Sequence, residues 1–140
     1  MSHSLLGRPT NLSYYTVPVA WALCLAPHVY AIKLYDRLSP TQKFDGANPR
    51  TFLAAIEANP DLETPSRERL ARAEGAQLNG FENLGFFAAG VVAANASGVD
   101  TWWLNALSFA YLFNRALFNV LYISGVRGPV RGAPFYASIG

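Results

Sequence analysis

Charge is scarce in this chain. Asp, Glu, Lys and Arg together make up 14% of its 140 residues, against roughly 25% in soluble domains. Cysteine is scarcer, with Cys24 alone, which excludes an internal disulfide and any metal site built from several thiolates. Neither histidine, His3 or His28, has a partner at metal-ligand spacing, so no metal is expected and His28 reads as a satisfied or snorkelling side chain. The net charge of +2 comes without a basic stripe or a stacking surface, which argues against a nucleic-acid partner. There is no Gly-rich phosphate loop, no Ser/His/Asp order and no HExxH. A cleavable signal peptide is not expected either: the first apolar run starts near Tyr14, exceeds the length of a signal core and lacks a clear small-residue cleavage site.

What the chain does have is apolar length. Hydrophobic residues reach 51%, and most of the charge is confined to residues 33–74, leaving apolar tracts on both sides. Such segregation suits a membrane, because an ion in hydrocarbon is costly unless it faces protein or water. Residues 14–35 form the first candidate span, close to the ~20 residues that cross ~30 Å of hydrocarbon. Pro18 and Pro27 inside it are tolerable where neighbours re-satisfy the freed carbonyls. Residues 36–66 form a polar loop in which Asn48-Pro49 opens a short amphipathic helix. Thr64-Pro65 repeats that start signal, and the helix over 67–96 begins charged and finishes apolar. A turn at 97–100 leads to a third span over 101–123, entered by Trp102 and Trp103. Residues 126–140 form a stub too short to span. The expectation is one all-α integral membrane domain over 1–140, a helical bundle in contact with the bilayer. Ten of the eleven basic residues fall on the loop side, so the positive-inside rule makes loop 36–66 cytoplasmic and the N-terminus lumenal. The sequon Asn11-Leu12-Ser13 then lies on the permissive side, but close to the first span.

Two helices carry polar residues at helical spacing. Arg72, Gly75, Asn79 and Glu82 stand at i, i+3, i+7 and i+10, and Arg115, Asn119 and Tyr122 at i, i+4 and i+7. Against lipid each would be costly, so both faces should turn toward protein or a wet cavity. One reading is structural: Glu82 and Arg115 form a buried pair, with Asn79 and Asn119 as interhelical hydrogen-bond partners. The other is a receptor for a small, multiply charged solute. Arginines would grip its carboxylates and the glutamate its ammonium, while a nearby Arg or Tyr would favour a thiolate. Arg127 and Arg131 follow at the rim.

At these residues the chain resembles the MAPEG family, the membrane-associated proteins in eicosanoid and glutathione metabolism. The segment RAEGAQLNGFEN at 72–83 resembles the second-helix signature of that family, NRALFNVLY at 114–122 its third-helix segment, and VRGPVR at 126–131 its basic turn. Asn48-Pro49-Arg50 also fits. The resemblance implies a four-helix up-down membrane bundle assembled as a homotrimer in the endoplasmic reticulum or another endomembrane. It also implies glutathione as cosubstrate and a hydrophobic small molecule as second substrate. Arg72, Asn79, Glu82, Arg115, Tyr122 and Arg127 would be glutathione contacts, and Arg131 the catalytic group at the sulfur. The expected function is a microsomal glutathione transferase-like or peroxidase-like enzyme, with a glutathione-assisted isomerase and a non-catalytic lipid-binding scaffold as alternatives. Gly75 and Gln77 stand where relatives often carry Arg and His. Nine residues follow Arg131, so the fourth helix is expected to be truncated or reduced to a stub.

Overall fold

The computed structural model describes residues 9–126. Four α-helices follow in order: α1 at Ser13–Leu38, α2 at Phe52–Ala58, α3 at Thr64–Ala96 and α4 at Thr101–Ser124. A single 3-10 turn at Pro49–Thr51 leads into α2. The all-helical bundle expected from the sequence is present. Residues 127–140, which include Arg127, Arg131 and the expected stub of a fourth long helix, lie outside the described residues.

Among the described residues two helices, α1 and α4, are long and apolar enough to cross a membrane. At 33 residues α3 is longer still, about 50 Å at 1.5 Å per residue, and its charged first third makes it less apolar than the other two. Hydrogen bonds between the helices fix their directions. At one end the start of α1 meets the end of α3 and the start of α4: Asn11 Nδ2 donates to Asn95 Oδ1 at 2.6 Å, and Leu12 N to Asn105 Oδ1 at 2.8 Å. Toward the other end His28 faces Glu74, and Arg72 faces Ile123. Thus α3 runs antiparallel to α1 and α4, beside both.

The α1–α3 seam explains the position of α3. The buried positions of α1 are Ser13, Thr16, Ala20, Cys24, Pro27, Ala31 and Tyr35, a stripe of mostly small residues at spacings of three and four. Opposite them α3 presents Leu70, Ala73, Ala76 and Gly80. Small residues let helix backbones approach closely, as membrane interfaces favour. Gly80 is where this matters most: a Cβ there would sit 2.9 Å from Cys24 Sγ and 3.2 Å from Cys24 Cα. A larger residue would have to push Cys24 aside and would press on the backbone of α1 behind it.

Pro27 removes the amide that would bond the Leu23 carbonyl one turn earlier, yet α1 continues unbroken through both prolines. Asn119 Nδ2 of α4 donates to Leu23 O at 2.9 Å, so a neighbouring helix satisfies the freed carbonyl. At the far end of the seam Ala31, Tyr35, Phe52, Ile56, Leu62, Leu70 and Ala73 form a buried cluster that fastens the loop and α2 onto α1 and α3. A polar knot closes it. Fully buried Asn59 donates through Nδ2 to Tyr35 Oη at 2.9 Å and Ser39 Oγ at 2.8 Å, and Arg67 Nη2 donates to Asn59 O at 2.8 Å. Asp61 accepts from Ser39 Oγ, Thr41 N and Thr41 Oγ1. Lys43 Nζ covers the end of α1 by donating to the carbonyls of Asp36 and Ser39.

The turn into α4 is built as its residues suggest. Gly98 takes a φ of 71°, and Asp100 caps α4 by accepting from Trp102 N at 2.8 Å. The sequon nitrogen, Asn11 Nδ2, is engaged with Asn95, so glycosylation there would cost the knot that gathers the three helix ends.

Candidate functional site

The α3–α4 seam has a different chemistry from the α1–α3 seam. Its centre is Arg115, which is fully buried. Its Nη1 donates to Asn79 Oδ1 at 2.7 Å. The guanidinium lies between two rings, with Cζ 5.3 Å from the centroid of Phe118 and 5.8 Å from that of Tyr111. These contacts leave it incompletely matched, since Nε and Nη2 are buried without a hydrogen-bond partner. An arginine at the centre of a membrane helix is costly, by about 3 kcal/mol on insertion scales. Here the aromatic faces and one amide oxygen offset part of that cost, while the hydrogen-bonding capacity of two buried guanidinium nitrogens stays unused.

About two turns nearer the loop end of α4, Tyr122 reaches across to α3 beside Gly75. A Cβ at Gly75 would lie 3.2 Å from the Tyr122 hydroxyl oxygen. The glycine thus gives the ring its place, and an arginine there would have to displace it. One turn further, Arg72 donates through Nε to Ile123 O at 3.2 Å and pairs with Glu68 at 3.5 Å. Its guanidinium also packs on Gly125, whose φ of 75° ends α4 in the left-handed region. A cation at a helix C-terminus is favourable both as a donor and against the dipole.

Arg72, Asn79, Arg115 and Tyr122 are therefore brought together along one seam. Two other residues depart from the expected faces. Glu82 is exposed on the outer side of α3 and makes no pair with Arg115, so the buried ion pair of the structural reading is absent. The reason is rotational: three residues fall about 60° short of a full turn, and Glu82 therefore sits away from Asn79 around the helix. Asn119 turns to α1, where it serves Leu23. Arg127 and Arg131 lie outside the described residues.

Two features escaped the sequence reading. His28 is satisfied, but by Glu74 of α3: Nδ1 and Oε1 stand 2.8 Å apart, with the side chains 16% and 12% exposed. Phe44 and Phe52 meet the imidazole edge-on, each 5.9 Å away between centroids. The second is an apolar cleft of about 410 Å³ between the C-terminal half of α3 and the first half of α4, with Phe87, Val91, Leu104 and Tyr111 among its walls. Phe87 and Tyr111 stack there at 3.8 Å. Tyr111 belongs to both places, lining the cleft with its ring and sharing that ring with Arg115. The polar seam and the apolar cleft thus adjoin.

In comparison with known proteins, residues 12–140 match the model of the MAPEG family. No curated protein and no solved structure matches the chain.

Proposed function

The chain belongs to the MAPEG family of membrane proteins, and from that premise we propose that it is a glutathione-dependent membrane enzyme that activates the glutathione thiol toward a hydrophobic electrophile. The observation that carries the reading is Arg115: a buried cation with unused hydrogen-bonding capacity at two guanidinium nitrogens, held by Asn79 beside an apolar cleft. The donor set fits the tripeptide. Arg72, Arg115 and Tyr122 offer groups for its two carboxylates and its sulfur, and Glu82 an acceptor for its ammonium. Because Glu82 faces outward from the protomer, the full set comes together only if the solute lies on the outer side of α3. A homotrimer with glutathione between protomers meets that requirement.

In this mechanism the cationic and hydroxyl donors favour the thiolate over the thiol, so its proton passes to solvent and a nucleophile exists near neutral pH. The sulfur attacks the electrophilic carbon, a C–S bond forms, and the electron pair leaves with the displaced group or with an opened ring oxygen that then takes a proton. The hydrophobic substrate arrives from the bilayer through the apolar walls beside Tyr111. Arg127 and Arg131 are proposed to complete the rim, with Arg131 nearest the sulfur. The proposed setting is the endoplasmic reticulum or another endomembrane, with loop 36–66 cytoplasmic.

The test is glutathione binding and turnover by the purified full chain in nanodiscs, with the thiolate followed by its ultraviolet absorbance. The expected result is a lowered thiol pKa in the complex, and turnover lost in Glu82→Ala and Arg115→Ala. A chain that does not bind glutathione overturns the reading. A second reading has one observation in its favour: Arg115 is completely buried, so a solute reaches it only when α3 and α4 part or a neighbouring protomer reshapes the seam. On that reading the seam is structural and the protein is a non-catalytic lipid-binding member, which predicts bound glutathione with an unshifted thiol or none at all.

A further inference from the structure

A second groove lies on the opposite side of α4, between it and α1, with a volume of about 300 Å³. Its walls are mostly apolar, formed by Ala26, Pro27, Val120 and Ile123 with Asn119 and Ser124 among them, and it lies between α1 and α4, the two helices apolar enough to face lipid. The rim at the loop end is basic. Arg69 lines the groove, with its guanidinium over the Tyr30 ring at 5.5 Å to the centroid. Lys33 and Arg37 follow Tyr30 on the same face of α1, at i+3 and i+7. All three basic side chains are exposed, and none has an acidic partner within ion-pair distance among the described residues. None of them belongs to the α3–α4 seam.

We infer that this groove holds one anionic phospholipid of the leaflet on the loop side, its phosphate on Arg69 and Lys33 and one acyl chain along Pro27 and Val120. Charge complementarity selects the occupant. Three cations without an acidic partner stand where α1 leaves its apolar stretch, which is the level of lipid phosphates: Arg69 lines the groove itself, and Lys33 and Arg37 continue the face of α1 that carries its Tyr30 wall. Basic pockets between membrane helices take anionic headgroups on these grounds, each cation near the surface contributing a free energy equivalent to about fivefold in affinity. An acyl chain suits the lower part because it can cover the apolar walls of α1 and α4 without asking for hydrogen bonds.

The experiment is native mass spectrometry of the purified full chain, released from detergent with equal amounts of phosphatidylglycerol and phosphatidylcholine added. The expected result is preferential retention of phosphatidylglycerol. Lys33→Gln combined with Arg69→Gln should reduce that preference by about fivefold for each charge removed. Val120→Trp, at a position 62% exposed and so able to accept a larger ring, should fill the slot and lower retention of both lipids with every charge intact. Equal retention of the two lipids by the unaltered chain overturns the proposal, as does phosphatidylglycerol retained undiminished in Val120→Trp. A change in oligomer mass, with no change in bound lipid, overturns it in favour of a second copy on this face. Glutathione binding by the same samples reports separately on the α3–α4 seam, so either reading can fail without the other.

Discussion

The two seams of α3 answer the same problem with opposite chemistry. Toward α1 the helix presents Ala73, Ala76 and Gly80 to a stripe of mostly small residues, and the helices come close enough that a Cβ at Gly80 would crowd Cys24. Its polar link there, His28 with Glu74, is matched. Toward α4 the same helix presents Arg72, Gly75 and Asn79 to Arg115 and Tyr122, and the match is left incomplete at two nitrogens of Arg115. Packing is closer on the α1 side, where Arg67 Nε at the far end is the buried nitrogen without a partner, and more polar capacity remains on the α4 side, at two nitrogens of Arg115. A protein that needed only stability would have little reason to keep a buried arginine, since well-packed apolar residues can replace such groups at no loss. This difference is what puts the proposed glutathione site on the α4 side of α3.

The sharpest way to break this comparison is to change each member of the Arg115–Asn79 pair. Asn79→Leu leaves the buried cation without its amide partner and should cost about 3 kcal/mol of stability. Arg115→Met removes the charge and fills the space, so it should leave stability unchanged or raised while glutathione-dependent turnover disappears. Thermal unfolding in detergent, run beside turnover, checks both. If Arg115→Met unfolds the protein as readily as Asn79→Leu, the seam is structural and the contrast fails.

The other seam is tested by Gly80→Val. The added atoms meet the backbone of Cys24, and overpacking of this kind costs about 1–3 kcal/mol. Because the strain lies between α1 and α3, the expected loss is in thermal stability, with glutathione affinity kept by the folded fraction. A lost affinity at full stability would show that the two seams are not independent.

A smaller effect joins Pro27 to Asn119. Asn119→Leu strips the donor from the Leu23 carbonyl and should cost about 1 kcal/mol. Pro27→Ala restores an amide to that carbonyl from within α1, so the double variant should recover most of the loss. A double-mutant cycle on unfolding free energies measures the coupling, and additive losses would show that the hydrogen bond contributes nothing.

How far this arrangement was legible in the sequence differs by element. The long helices were, because apolar runs, the Thr64-Pro65 start and the 97–100 turn are local signals that packing did not override. Arg72, Asn79, Arg115 and Tyr122 were also found, because a polar residue in an apolar tract stands out wherever it points. Which partner each would meet was not legible. Glu82 stood at a spacing that looks facial but turns it outward, and Asn119 was drawn to α1 by a carbonyl that Pro27 had freed. His28 could be read as satisfied, yet naming Glu74 requires the antiparallel register of α1 and α3. That register is set by Gly80 against Cys24, a contact that no local pattern announces.

The mildest test concerns the loop that fastens the closer-packed seam at its far end. Asp61 accepts hydrogen bonds from the Thr41 hydroxyl and amide and from Ser39 Oγ, and these hold its carboxyl below the ordinary aspartate range, the Thr41 hydroxyl contributing most. A carboxyl with a lowered folded-state pKa stabilises the fold above its unfolded value of about 3.9, and that contribution fades as pH falls through the lower, folded value. The loop at 39–63 should thus stay closed through neutral and mildly acidic pH and loosen only in strong acid. Asp61→Asn should leave the loop loosened to the same extent at neutral as at acid pH, so that the acid dependence disappears. Hydrogen exchange at the Thr41 amide, which Asp61 covers directly, reads the effect. Since Asn59 ties this loop to Tyr35 and Arg67 at the end of the α1–α3 seam, opening there should leave the Arg115 nitrogens and glutathione affinity untouched. A loss of affinity on loosening the loop would mean that the incomplete seam depends on the closer-packed one, and the division of α3 into a packing side and a working side would have to be redrawn.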